Sequence, residues 1–347
     1  MSETNMIGLD TAKNVFEACL VDGTGMIVRK ARVKRRQVLA FFAALPACTV
    51  VLEACGASYY WAQELMALGH HVKLVPPPFL KRYRSGHKND ARDAYALTLA
   101  GRDPQLRAVP VKTAEQQAAF LHLKVRSLLV RQHTQAANSL RGMLSEFGLT
   151  GRSGERGLEE MVERVETGGI ELPQLALAAL AILVRQWRVL AGEIEELTLS
   201  LTRRAKSDER SVRLMTVPGI GPVTASACVA KLDDATRFGC GRDFAAWLGL
   251  TPKQHSTAER RRLGSITKAG DEDLRSLFVL GAAAVLVRAR CRPQSVDPWV
   301  AAIVKRKPFK VAAVALAARM ARIAWALLRY GGVYTPRQGR LPDPQTA

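Results

Sequence analysis

Short apolar runs alternate with amphipathic stretches over the first hundred residues, and this alternation constrains the fold more than any other feature of the chain. Met6 to Asp10, Phe16 to Val21 and Met26 to Val33 read as strands, the last two joined by a hairpin turn at Asp22-Gly23-Thr24-Gly25. Arg36 to Leu45 has helical spacing, Thr49 to Glu53 is a buried strand, and Ser58 to Leu68 is a helix. His71 to Val75 is a strand stopped by Pro76-Pro77-Pro78, and Asn89 caps a helix running through Ala100. The order βββαβαβα makes this an α/β domain over residues 1–110.

From Thr113 the pattern changes. Thr113 to Phe147 and Pro173 to Lys206 are Leu/Ala-rich with helical spacing and predict two long helices, a coiled-coil-like arm over 111–210. The Gly-rich stretch from Gly148 to Gly169 between them reads as a flexible connection. From Ser211 the chain is again helical and compact, an all-α domain over 211–335, and the Pro/Gly-rich tail 336–347 is expected to be disordered.

Charge narrows the partner. Lys and Arg number 51 against 31 Asp and Glu, a formal net charge of +20, which suits a polyanion and nucleic acid first of all. A membrane is not expected: the apolar stretches Leu172 to Val184 and Leu277 to Val287 fall short of a span, and Arg319 and Arg322 interrupt the last one. Met1 to Asp10 lacks the basic-then-apolar form of a secretory signal. The six cysteines are scattered without CxxC spacing, which fits reduced thiols and a cytoplasmic protein.

Against that background four acids are conspicuous. Asp10 ends the first strand and Glu53 the fourth, so one sheet edge can hold both, while Asp90 and Asp93, at i and i+3, share a helix face. Singly, each acid has a plain structural reading as a turn or helix cap. Together, on an element order that is ribonuclease-H-like, they predict a metal site. Such a cluster raises its own pKa values until divalent cations neutralise it. Hard Mg²⁺ or Mn²⁺ ions roughly 3.5–4 Å apart can hold both oxygens of a phosphodiester displacement. The basic clusters Arg29 to Arg36 and Lys81 to Arg92, with Lys88 among them, are placed to hold a phosphate backbone nearby.

Two further segments carry chemistry. Val217-Pro218-Gly219-Ile220-Gly221-Pro222 is a helix-hairpin-helix signature, in which Gly219 and Gly221 let backbone N–H groups approach phosphate. Gly249 to Asp271 reads as a polar loop dense in hydroxyls and cations. Ser256, Thr257, Ser265 and Thr267 are its nucleophile candidates. His255 or a metal-bound hydroxide is the candidate base, Arg260, Arg261, Arg262 or Lys268 the candidate cation for the transferring group, and Lys253 joins them as a nucleic-acid contact.

The ordered set Gly8-Leu9-Asp10, Leu52-Glu53-Ala54, Lys88-Asn89-Asp90-Ala91-Arg92-Asp93-Ala94, the Pro-Gly-Ile-Gly hairpin and Gly249-Leu250-Thr251-Pro252 through His255-Ser256-Thr257 and Gly264-Ser265-Ile266-Thr267-Lys268-Ala269-Gly270-Asp271 to Leu274-Arg275 closely resembles bacterial transposases of the insertion sequence 110 type. These are the DEDD transposases, also called bridge-RNA-guided recombinases, and the resemblance covers residues 6 to about 330. It implies a RuvC-like N-terminal domain, a coiled-coil arm and a C-terminal transposase domain. Its catalytic residues would be Asp10, Glu53, Asp90 and Asp93 on Mg²⁺ or Mn²⁺, and the nucleophile Ser256. It also implies a homo-oligomer, dimer or tetramer, with the acids of one subunit meeting the serine of another, and a structured guide RNA from the element beside donor and target DNA. The chain departs from the family at Ala258-Glu259, where two glycines are usual, and at Asn89, where threonine is usual.

On this basis the chain is expected to be a recombinase that cleaves and rejoins DNA through a covalent phosphoserine. The alternative is a metal-dependent, Holliday-junction-type nuclease with a water nucleophile. A phosphotransferase of the actin and sugar-kinase superfamily needs further Gly-rich phosphate loops where long helices are expected. A non-enzymatic nucleic-acid-binding protein leaves the acids without a role.

Overall fold

The computed structural model describes residues 6–84, 90–232, 234–255 and 262–336. The chain divides into two compact units, Met1–Gln117 and Ala118–Ala347. In the first, β1 (Met6–Asp10), β2 (Val15–Val21), β3 (Ile27–Lys34), α1 (Val38–Ala43), β4 (Thr49–Glu53), α2 (Ser58–Ala67), β5 (His71–Val75), α3 (Pro77–Leu80) and α4 (Asp90–Arg102) follow one another in the expected order. Only the single turn α3, built on the proline run, is an addition. Asn89, the expected cap of α4, and Lys88 lie outside the described residues.

The strands form one sheet in the order β3-β2-β1-β4-β5. β1, β2 and β3 are antiparallel neighbours, whereas β4 and β5 run parallel to β1. Period-two alternation sorts the side chains. Ile7, Leu9, Val50 and Leu52 pack with Phe16, Phe42 and Trp61 beneath α1 and α2. Val51 packs with Leu97 and Ala100 beneath α4. Each large side chain fully buried this way, such as Phe16 or Leu52, contributes about 1.5–3 kcal/mol. Gly8 faces α4, and a Cβ there would stand 1.9 Å from the Ala94 carbonyl oxygen. Glycine at this position is what lets α4 lie directly on β1.

The second unit opens with a helical hairpin. α5 (Ala114–Ser145), which starts at the boundary, and α7 (Gln174–Ser207) run antiparallel, with Arg126 Nε donating to Thr198 Oγ1 at 2.7 Å. The segment expected to be a flexible connection instead contains α6 (Glu155–Glu166). Leu158, Met161 and Val162 recur at helical spacing and bury against Leu140, Leu144 and Val184, so amphipathic periodicity prevails over glycine content. Glu166 of α6 accepts from Arg188 of α7 at 2.8 Å.

The remainder is helical, as expected: α8 (Glu209–Met215), α9 (Pro222–Lys231), α10 (Gly241–Trp247), α11 (Glu272–Cys291), α12 (Pro298–Arg306) and α13 (Phe309–Tyr330). They share one core containing Phe244, Phe278, Leu286, Leu316 and Met320. One correction applies. The expected polar loop is in part an antiparallel ribbon of β6 (Pro252–Gln254) and β7 (Leu263–Ile266), exposed along most of its length and without the apolar alternation that marks a strand in sequence.

The expectation of no span-length segment is also corrected, because α7 and α13 are long and apolar enough to cross a membrane by length and composition. In α13, Ala312, Leu316, Met320 and Ala324 lie in the helical core; in α7, Leu180, Val184 and Trp187 pack under α5 and α6, while Leu175, Ile182 and Val189 are exposed. All six cysteines are free. The expected disordered tail, apart from Pro336, lies outside the described residues.

Candidate active site

Because β1 and β4 are parallel and pair Leu9 with Leu52, their last residues, Asp10 and Glu53, reach the same sheet edge. Both alternate onto the face that carries α4, whose first turn holds Asp90 and Asp93. The fold therefore brings the four predicted acids to one edge. Asp93 is buried, Asp10 and Glu53 are half-buried, and Asp90 is exposed. Burial, then the charges of Asp90, Asp93 and Glu53, push the Asp10 carboxyl from 3.8 up to about 6, with Arg84 opposing.

Arg84 is the residue whose role the sequence did not disclose. It was grouped with phosphate-binding cations. Instead its Nη2 lies 2.8 Å from Glu53 Oε2 and its Nε 3.1 Å from Asp93 Oδ1. A carboxylate as buried as Asp93 needs a counter-charge, and Arg84 supplies it. The only sequence signal is a cation shortly before the acidic pair. Arg32, likewise read as a phosphate ligand, pairs with Glu17 at 2.8 Å.

Among the described residues no three His, Cys, Asp or Glu side chains converge as a ready metal set, and the Arg84 guanidinium is bonded to two of the acids. The donor chemistry nevertheless fits a hard divalent cation: oxygen ligands only, mutually repelling, with Asp10 incompletely compensated. Such a cation would be held by Asp10, Glu53, Asp90 and Asp93, in place of the neutralisation Arg84 now gives.

In the second unit the Pro-Gly-Ile-Gly turn joins α8 to α9. Gly219 has φ 87°, and a Cβ there would stand 2.8 Å from the Gly281 carbonyl oxygen of α11. Its glycine is thus required by packing, whereas Gly221 is exposed. Ser256, Arg260 and Arg261 lie outside the described residues, as do Thr257, Ala258 and Glu259. Their neighbours across that segment are joined, His255 N donating to Arg262 O at 2.8 Å. Lys253, Arg262 and Lys268 are exposed along the ribbon.

The base of the ribbon is held firmly. Lys268 N donates to Gly249 O at 3.1 Å, and Arg275 Nη1 donates to Leu248 O at 3.1 Å and Ala269 O at 2.9 Å. Lys231, almost fully buried, pairs with Asp271 at 2.6 Å, where Asp271 also caps α11. Arg275 was visible in the sequence only as the end of the family-like run and Lys231 did not stand out, because main-chain acceptors and long-range ion pairs leave no local pattern.

A carboxylate cluster at the edge of an α/β sheet, in a chain of net charge +20, is the arrangement expected of an enzyme acting on nucleic-acid strands. Comparison with known proteins makes the class specific. A DEDD model of the IS110 type, described as a transposase, matches residues 7–148, and a model described as the transposase IS116/IS110/IS902 family matches residues 211–298. The chain is 43% identical to a putative transposase, y4pF/y4sB, of Sinorhizobium fredii over 96% of this chain and 86% of that one. It is 45% identical to a probable family 20 transposase of Pseudomonas aeruginosa, over 95% and 98% respectively. It is 35% identical to the transposase for insertion sequence element IS1111A of Coxiella burnetii, over 94% and 90%. The chain belongs to the IS110/IS116/IS902 family of transposases, enzymes whose class implies DNA as partner.

Proposed function

We propose that this transposase excises and inserts its element by cleaving and rejoining DNA strands, with the four acids and Ser256 acting on the scissile phosphodiester. The observation that carries the reading is the meeting of Asp10, Glu53, Asp90 and Asp93 at one sheet edge, where burial and then the charges of the other three acids push the Asp10 carboxyl up to about 6. The sheet order and its pattern of parallel and antiparallel pairs support a ribonuclease-H-like, RuvC-like domain over residues 1–110. An arm over 111–210 and a transposase domain over 211–335 complete the working parts.

The chain's own groups divide the labour. The acids are placed to hold Mg²⁺ or Mn²⁺, which when bound would offset charge on the phosphoryl oxygens. The Ser256 hydroxyl forms the bond to phosphorus as the bond to the leaving deoxyribose oxygen breaks. Its proton passes to a base, for which His255 is adjacent in sequence, and the leaving oxygen ends protonated. Rejoining runs the same exchange backwards with a new strand end. Lys253, Arg262 and Lys268 are exposed beside the serine segment and suited to the phosphate oxygens. The exposed Gly221 turn offers backbone contact to a neighbouring phosphate.

We read the assembly as a homo-oligomer in the cytoplasm, dimer or tetramer, in which one subunit supplies acids and another the serine, guided by a structured RNA from the element. The test is Asp10→Asn: DNA binding is retained while divalent-metal-dependent strand cleavage falls at least about a hundredfold. Cleavage at the wild-type rate would remove the metal assignment.

A further inference from the structure

The edge that carries the acids has a second feature on its opposite face. β3 ends at Lys34, which pairs with Val15 at the start of β2, so the carboxyl end of β3 lies along the same sheet edge as Asp10 and Glu53. Here Lys34, Arg35 and Arg36 line a concavity of about 740 Å³, closed by Asn14 and by Tyr60 and Trp61 of α2. That volume is within the range of about 300–1,000 Å³ that accepts small organic groups.

The chemistry of the pocket is basic and aromatic. Lys34, Arg35 and Arg36 are all exposed, and among the described residues none of them pairs with a carboxylate. Arg35 is fixed: its guanidinium lies 5.1 Å from the Trp61 ring centroid and 6.0 Å from that of Phe16, while its backbone N–H donates to Asn14 O at 2.8 Å. Tyr60 is 49% exposed, and its ring is steadied edge-to-face on Trp61 at 5.0 Å. Three uncompensated cations around an open tyrosine recognise a phosphate joined to a flat ring.

We propose that this pocket receives one unpaired nucleotide of the nucleic-acid strand that passes over the acid edge, its base stacked on Tyr60 and its phosphates held by Lys34 and Arg36. The inference rests on the reading above that the N-terminal domain acts on nucleic acid. The acids lie on the α4 face of the edge and the pocket on the α1 and α2 face, so a strand crossing the carboxyl ends of β1 and β4 meets both. An unpaired base is required because duplex pairing and stacking cover the faces that Tyr60 needs.

The test is equilibrium binding of the full-length protein, in EDTA, to a fluorescein-labelled single strand of about 15 nucleotides, to the same sequence as RNA and to its duplex. Tyr60→Ala is expected to weaken single-strand binding about tenfold and leave duplex binding unchanged, with Tyr60→Trp restoring it. Lys34→Gln and Arg36→Gln should each lower the salt slope of single-strand binding by about 0.7. The DNA and RNA arms identify the strand received, and a loss in either supports the pocket. Single-strand binding at the wild-type level in Tyr60→Ala and in Lys34→Gln/Arg36→Gln, or an equal loss on duplex, overturns it. Mg²⁺-dependent cleavage by Asp10→Asn, assayed separately, tests the metal reading: if that variant cleaves like wild type, the metal reading fails while the pocket result stands.

Discussion

Arg84 Nη2 lies 2.8 Å from Glu53 Oε2, a bond made across the gap between two of the four acids at the sheet edge. The same guanidinium reaches Asp93 at 3.1 Å. An internal cation thus occupies the ground a divalent ion would neutralise. Arg84→Gln removes a competitor and a positive charge, so Mn²⁺ binding followed by electron paramagnetic resonance should tighten about three- to tenfold. Weaker binding would show that Arg84 instead orients the acids for the metal.

The protonation of Asp10 fixes a pH dependence. Its folded pKa is raised from 3.8 to about 6, so in that window the folded state holds more protons than the unfolded one. Its contribution to stability is therefore fully present below about pH 3.8 and lost as pH rises through about 6. Thermal melts in EDTA should show Asp10→Asn more stable than wild type near neutral pH, with the difference shrinking towards pH 4. A difference constant with pH would contradict the assignment.

Gly8 sets how closely α4 approaches β1. Gly8→Ala places a methyl 1.9 Å from the Ala94 carbonyl oxygen, which cannot yield without moving α4. Destabilisation of about 1–3 kcal/mol is expected in urea unfolding, together with loss of strand cleavage, since Asp90 and Asp93 travel with the helix. Wild-type stability would mean that α4 does not rest on β1 as described.

Arg275 ties the two ends of the ribbon base through Leu248 O and Ala269 O. Arg275→Ala should leave DNA affinity within about twofold while lowering cleavage about tenfold or more, because the Leu248 and Ala269 carbonyls lose their shared donor and the ribbon loosens. Gel-shift and cleavage assays on the same preparation separate the two effects. A parallel loss of binding and cleavage would make Arg275 a general structural residue.

The N-terminal domain was legible because period-two runs ended abruptly in Asp10 and Glu53, and because Pro76 to Pro78 and the Asp22 to Gly25 turn punctuated them. α6 was not legible, since glycines at 151, 154, 157, 168 and 169 masked the spacing of Leu158, Met161 and Val162. The ribbon escaped because Pro252-Lys253-Gln254 and Leu263-Gly264-Ser265-Ile266 carry no buried alternating face. Within the site the acids could be read from their positions on elements, whereas the Arg84 clamp joins residues 31 apart in sequence and depends on the sheet that brings them together. The purpose of Gly219 was half legible: a turn glycine was evident, but its close approach to Gly281 exists only once α11 is packed.

The most direct test of the account is covalent trapping on a nicked substrate that releases its leaving strand. In Mg²⁺ the wild-type enzyme should form a denaturant-stable protein–DNA adduct that maps by mass spectrometry to Ser256, and both Ser256→Ala and Asp10→Asn should abolish it. Strand cleavage by Ser256→Ala near the wild-type rate, with free DNA ends and no adduct, would contradict the account and leave a hydrolytic nuclease in its place.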